Sequence, residues 1–202
     1  MFATLQQKFR SWAFSRTTVT GTVTLTQRRI FIIPTKQGLV LCFVLLLMLL
    51  GDINYNLSLG YVLTFLLTMM AVMSMLHAFR NLAHLEIRAG RAEAVFSGET
   101  ARFIFHFNNR SKLPRYQLYL FKTGDSFWIG GQPVIQFDAP AQQDTEVVFP
   151  LPAIRRGWLQ TGRMTLYTEF PLGLFYCWSY LHFDARCLIY PKPMHDAPLQ
   201  SL

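Results

Sequence analysis

Two apolar runs only six residues apart constrain this chain more than any other feature. Leu39 to Leu50 reads LVLCFVLLLMLL, twelve apolar residues without interruption. Leu57 to Phe79 reads LSLGYVLTFLLTMMAVMSMLHAF, 23 residues with no Asp, Glu, Lys or Arg. Extended back to Pro34, the first run makes about 26 Å of helix, and the second makes about 35 Å. Pro34 suits a first helical turn, where no amide donor is needed, and Lys36 can snorkel toward headgroups. The intervening Gly51-Asp52-Ile53-Asn54-Tyr55-Asn56 reads as a tight polar turn. The expectation is a transmembrane α-helical hairpin over residues 34–80. One soluble core does not require two long charge-free runs. A cleaved leader also fits poorly, because a lengthy polar stretch comes first and no small-residue cleavage pattern follows.

The charge distribution points the same way. Only 15% of residues are charged, below the quarter or so usual in soluble domains, and the net charge is +8. Lys8, Arg10, Arg16, Arg28, Arg29 and Lys36 all precede the hairpin, with no acidic residue among the first 37. Arg80, Arg88 and Arg91 follow it, and the turn between the runs has no basic residue. Basic residues flanking both ends predict a multi-pass protein of the bacterial cytoplasmic membrane, with both termini in the cytoplasm. The excess belongs to membrane orientation, so no nucleic-acid role is expected. His77 is near enough to the end of the second run for a headgroup-level position.

Residues 1–33 form a cytoplasmic N-terminal segment in this reading. Trp12 and Phe14 lie among basic residues, which suits a membrane surface. The stretch TTVTGTVTLT alternates as a strand does and is a candidate edge strand for the domain downstream.

From about Leu82 the hydrophobic period becomes two. Phe103, Phe105 and Phe107 alternate with Arg102, Ile104, His106 and Asn108. Turn signals separate such runs, giving candidate strands at 84–89, 92–97, 101–108, 115–122, 133–138, 144–150, 161–169, 175–183 and 186–190. Short strands at this spacing predict an all-β, immunoglobulin-like sandwich over 82–193, followed by a flexible tail over 194–202. No Cys…Trp…Cys core signature marks it as antibody-type.

Catalytic chemistry is not visible. His84, His106, His182 and His195 are scattered, without an HExxH pair, and Asp125 has no second carboxylate at catalytic spacing. There is no GxSxG and no phosphate-binding glycine loop, and Gly130-Gly131 reads as a hairpin turn. The expectation is a non-enzyme with no cofactor and no metal. Of the three cysteines, Cys42 lies in the first apolar run. Cys177 and Cys187 flank a short turn region, from which they could face each other on paired strands, and they are expected to be free thiols if the domain is cytosolic.

Two patches are candidate interaction sites. One is Arg155-Arg156-Gly157-Trp158, and the other is the apolar turn Pro171-Leu172-Gly173-Leu174-Phe175. Each also has a purely structural reading, an arginine pair on opposite faces and a turn packing its own Leu and Phe. Arginine and aromatic residues dominate interface energetics, so the two patches together are the expected contact surface.

Several segments in series resemble a family. Arg28-Arg29-Ile30-Phe31-Ile32-Ile33-Pro34-Thr35-Lys36-Gln37-Gly38 leads into the hairpin, and downstream come Arg155-Arg156-Gly157, the PLGLF turn with Trp178, and Tyr190-Pro191-Lys192-Pro193. Over roughly residues 27 to 193 this order resembles the bacterial membrane proteins catalogued as domain of unknown function fifty-eight. The resemblance implies a genomic setting beside MoxR-type AAA+ ATPases and transglutaminase-like membrane proteins. Many members carry a later segment related to von Willebrand factor A domains, which these 202 residues lack; the chain is expected to be a fragment, a truncated product or a short member. The functional expectation is a membrane-anchored scaffold or adaptor presenting the sandwich to such partners. The alternative is a non-catalytic subunit of an envelope- or peptide-processing complex.

Overall fold

The computed structural model of the chain describes residues 23–25, 29–123 and 134–192. Asp125, Gly130-Gly131, Trp12, Phe14, His195 and the tail over 194–202 lie outside the described residues. The two apolar runs form helices α1 (Lys36–Tyr55) and α2 (Ser58–Leu82), both long and apolar enough to cross a membrane. Thr35 caps α1, its hydroxyl accepting from the Gly38 amide. Asn56, in the left-handed conformation at φ 48, closes it.

The six-residue polar turn read from sequence is corrected here. Residues 51–55 continue α1, and only Asn56 and Leu57 connect the helices. Asp52 finds its partner inside the hairpin: it is buried, and its carboxylate accepts from the Thr64 hydroxyl at 2.8 Å. A Cβ on Gly60 would overlap Asp52 Oδ1, so the glycine makes room for the carboxylate. The less exposed positions of α2 run 60, 64, 67, 71, 74 and 78, alternating steps of four and three. That is the seam of two helices packed side by side with small residues at their contact. Most other hairpin side chains are exposed.

The β region forms two facing sheets. One has order β1 (Val23–Thr24), β3 (Glu86–Ala89), β5 (Thr100–Asn109), β8 (Gln143–Pro152). The other has order β2 (Phe31–Pro34), β10 (Phe175–Tyr190), β9 (Gly157–Thr168), β6 (Arg115–Lys122), β7 (Val134–Ala139), and β4 (Val95–Phe96) pairs with β10. All pairings are antiparallel except the short parallel one between β4 and β10. The two strands that precede the hairpin thus add one strand to each sheet.

The period of two works as it should. Phe103, Phe105 and Phe107 of β5 are buried, facing Leu118 and Leu120 of β6, Met164 and Leu166 of β9, and Leu181 and Phe183 of β10 in one core. Phe105 meets Phe183 at 5.2 Å and Phe107 meets Phe137 at 4.4 Å between ring centroids. Ala78 and Leu82, from the last turns of α2, are buried in this same core. The helix end is therefore part of the β domain's packing, not tethered beside it.

Two expected strands, 175–183 and 186–190, are one strand of 16 residues with an irregularity between Phe183 and Arg186. The cysteine reading changes accordingly. Cys177 and Cys187 sit ten positions apart on β10, in register with Thr168 and Leu159 respectively. At about 3.3 Å per residue they are some 33 Å apart, so they do not face each other. Both are buried free thiols because of that separation, whatever the compartment.

Candidate functional site

The helices enter the β domain at one end of β10, and both entry points are built joints. At the first, the Thr35 amide donates to the Leu174 carbonyl at 2.9 Å, and the Thr35 hydroxyl donates to the Gly173 carbonyl at 2.6 Å. Gly38 is buried beneath this turn, and a Cβ there would overlap the Leu174 carbonyl oxygen. Gly173 itself has φ +67, a conformation that favours glycine. Phe175 lies opposite Pro34 in the β2–β10 ladder. Pro171 to Phe175, read from sequence as a docking surface, is thus the seat of α1. Only Leu172, 47% exposed, projects from it.

The second joint holds the end of α2. Asn81 donates to the Tyr116 carbonyl at 2.7 Å and to the Thr168 hydroxyl at 2.9 Å, and it accepts from the Tyr116 amide at 3.2 Å. Beside it Arg115 is buried, donating through Nη1 to the carbonyls of Asn81 at 2.8 Å and Arg80 at 3.3 Å. Its Nε donates to Asn109 Oδ1 at 2.9 Å. Among the described residues no carboxylate pairs with this guanidinium. It is met instead by the unsatisfied carbonyls and negative dipole end of a helix. Burial, and secondarily the charge of Arg80, lower its pKa to about 10, so it remains a cation at neutral pH. Asn109 completes the cluster by donating to the carbonyls of Leu113, Ala139 and Pro140.

On the outer face of the larger sheet, above these joints, lies an aromatic layer. Tyr119 stacks on Tyr167 at 4.8 Å, Tyr167 contacts Tyr176 at 4.9 Å, and Trp178 contacts both Tyr176 and Phe31. Burial, with Glu169 nearby, pushes the Tyr167 hydroxyl up to about 12, and burial raises Tyr176 as well. These are neutral phenols at physiological pH, suited to packing and hydrogen bonding.

The other candidate patch is at the opposite end of the domain. Gly157 pairs with Ile189, whereas Phe175 pairs with Pro34. Fourteen positions of β10, about 45 Å of strand, lie between. The structure does not bring Arg155 and Arg156 together with the Leu172–Phe175 turn, and the combined surface expected from sequence does not exist. What surrounds the arginines instead is apolar. Trp158 is 67% exposed and Ile154 77% exposed, with Phe96 and Tyr190 also exposed and their rings 6.0 Å apart. Gly157, at φ +116, turns the arginine loop into β9.

The remaining titratable groups are dispersed. His106 approaches Asp144 at 3.3 Å on the exposed face of the smaller sheet, and Asp184 pairs with Arg186 at 2.8 Å. Among the described residues, no three His, Cys, Asp or Glu side chains converge as a metal site. Sequence reading missed Asn81, Arg115, Asn109 and Thr168, because each sits within a run whose neighbours carry the pattern. The available signal was a polar residue closing an apolar helix, Asn81; Arg115 had none, because by alternation it falls on the face opposite Leu118 and Leu120, and only the irregularity at Tyr116–Gln117 turns it inward.

No protein-family model matches the chain, and no curated protein matches it.

Proposed function

We propose that this chain is a membrane-anchored scaffold whose hairpin spans the bilayer and whose immunoglobulin-like sandwich presents its distal tip to a partner protein. The hairpin exposes large apolar side chains along its whole length, whereas the core helix of a soluble protein is mostly buried. An immunoglobulin-like assignment is supported by strand order. The strand after the hairpin divides between sheets, β3 joining β5 and β4 joining β10, and the β10-β9-β6-β7 and β3-β5-β8 orders follow.

Topology has a physical support too. β1 and β2 precede the spans yet pair with β3 and β10, which follow them. Segments hydrogen-bonded into one sheet lie on one side of a bilayer, and the flanking basic residues favour the cytoplasmic side.

The observation that carries the scaffold reading is the tip. Ile154, Arg155, Arg156 and Trp158 are exposed as far from the helices as the domain reaches, and Trp and Arg are the side chains most enriched at interface hot spots. A MoxR-type AAA+ ATPase is the first partner to try, with a transglutaminase-like membrane protein second. The test is capture from solubilised membranes, comparing wild type with Arg155→Glu/Arg156→Glu and with Trp158→Ala. Loss of a specific partner in variants with unchanged unfolding midpoints supports the reading; retention of every partner refutes it. Turnover of a peptide, nucleotide or glycan by the purified chain alone would refute the non-enzymatic assignment.

A further inference from the structure

We propose that the helix-proximal base of the β domain is itself a lipid-contacting surface that recognises anionic headgroups. The proposal rests on the hairpin spanning the bilayer. The two joints hold the base of the domain at the level where both helices emerge. α1 begins at Lys36, directly after the Thr35 contact with Leu174, and α2 ends at Leu82, directly after the Asn81 contact with Tyr116. Two loops bracket those points. The β5–β6 loop carries Leu113 and leads to Tyr116, 47% and 43% exposed, and the β9–β10 turn carries Leu172, also 47% exposed. Tyr116 packs against Phe170 at 5.4 Å, which joins the two loops into one surface.

These apolar side chains have no protein cover, and the chain's own membrane spans begin beside them. Leucine and tyrosine at that depth exchange water for the headgroup–acyl boundary, where an amphipathic ring places its apolar body inward and its hydroxyl outward. The rim carries three cations close to the points where the helices emerge. Lys36, Arg80 and Lys112 are exposed, and no salt bridge engages them among the described residues. Arg110 is already paired with Glu86 at 2.9 Å, and the exposed acidic groups at this end are Glu169, Asp138, which accepts from the Gln117 amide, and Asp144, which lies opposite Asn108 and meets His106. Cations at an anionic surface each raise its occupancy about fivefold. Together the loops would hold the sandwich upright on the membrane, directing the distal tip away from it.

The test uses the full chain in lipid nanodiscs, in a Cys42→Ser background in which Cys177 and Cys187 are buried and do not label. Single cysteines at Leu113, Leu172, Ile154 or Phe65 carry an environment-sensitive fluorophore, and a nitroxide-bearing phospholipid is the quencher. The discs contain phosphatidylcholine alone or with phosphatidylglycerol. Positions 113 and 172 should be quenched at least twofold more than 154 and should approach position 65 on α2. Added phosphatidylglycerol should increase that quenching, and Arg80→Glu/Lys112→Glu should abolish the increase. Quenching at 113 and 172 no greater than at 154, with 65 still quenched, overturns the lipid-contacting base while leaving the hairpin in the membrane. Equal quenching with and without phosphatidylglycerol overturns the headgroup assignment. An unquenched position 65 overturns the spanning hairpin and this proposal with it.

Discussion

Replacing Asn81 with alanine should cost the β domain about 3 kcal/mol. The side chain makes three hydrogen bonds, to the Tyr116 carbonyl, from the Tyr116 amide and to the Thr168 hydroxyl, at 2.7, 3.2 and 2.9 Å. Each contributes about 1 kcal/mol net, and more when its partner is left buried and unsatisfied. Thr168 is fully buried but also accepts from the Phe170 amide at 3.2 Å, so its oxygen is not orphaned. Tyr116 is exposed, and water can replace part of what its backbone loses. These offsets keep the sum near the simple count. The assay is urea unfolding of the full chain in nanodiscs, read by tryptophan fluorescence, with the exposed Asn54→Ala as control. With an m-value of about 1.5 kcal/mol/M, the midpoint should fall by about 2 M. Coupling to Thr168→Val in a double-mutant cycle should be about 1 kcal/mol. A midpoint within about 0.5 M of wild type would show that α2 is not anchored through this residue.

Gly38→Ala should destabilise the domain more than Leu39→Ala in the same urea assay, since a Cβ at 38 meets the Leu174 carbonyl while Leu39 is exposed. Asp52→Leu should weaken the hairpin by about 1 kcal/mol through loss of the Thr64 hydrogen bond, and Gly60→Ala with Asp52 in place should weaken it by displacing the carboxylate; unfolding of the chain in detergent measures both. Rapid alkylation of folded protein at pH 8 should spare Cys177 and Cys187, with both modified after unfolding. Burial pushes the Cys177 thiol from 9.0 up to about 12. The folded state therefore holds a proton that the unfolded chain releases, so this stabilisation is complete below pH 9 and declines as pH rises toward 12. A urea midpoint that rises over that interval contradicts the sign.

The sequence alone determined what a local period can carry. A helix needs about twenty apolar residues to cross a bilayer; the charge-free run Leu57–Phe79 declares that length by itself, whereas the twelve-residue run Leu39–Leu50 reaches it only as part of the longer helix Lys36–Tyr55. Phe103, Phe105 and Phe107 declare a strand with one buried face, because successive side chains leave a strand on opposite sides. Partnership between distant residues has no such period. Asp52 read as part of a turn until Thr64 and Gly60 were found around it. Cys177 and Cys187 read as a facing pair because the bulge near Phe183 interrupts the alternation as a turn would, yet the strand continues. The PLGLF turn read as exposed because its partner, Thr35, is 138 residues away from Gly173. The arginine patch and that turn looked like one surface because both are rich in interface-type residues. Only the length of β10 sets them at opposite ends of the domain. Composition reports which side chains prefer burial or contact, but distance in space is decided by strand pairing, which depends on hydrogen bonds between residues that sequence does not place side by side.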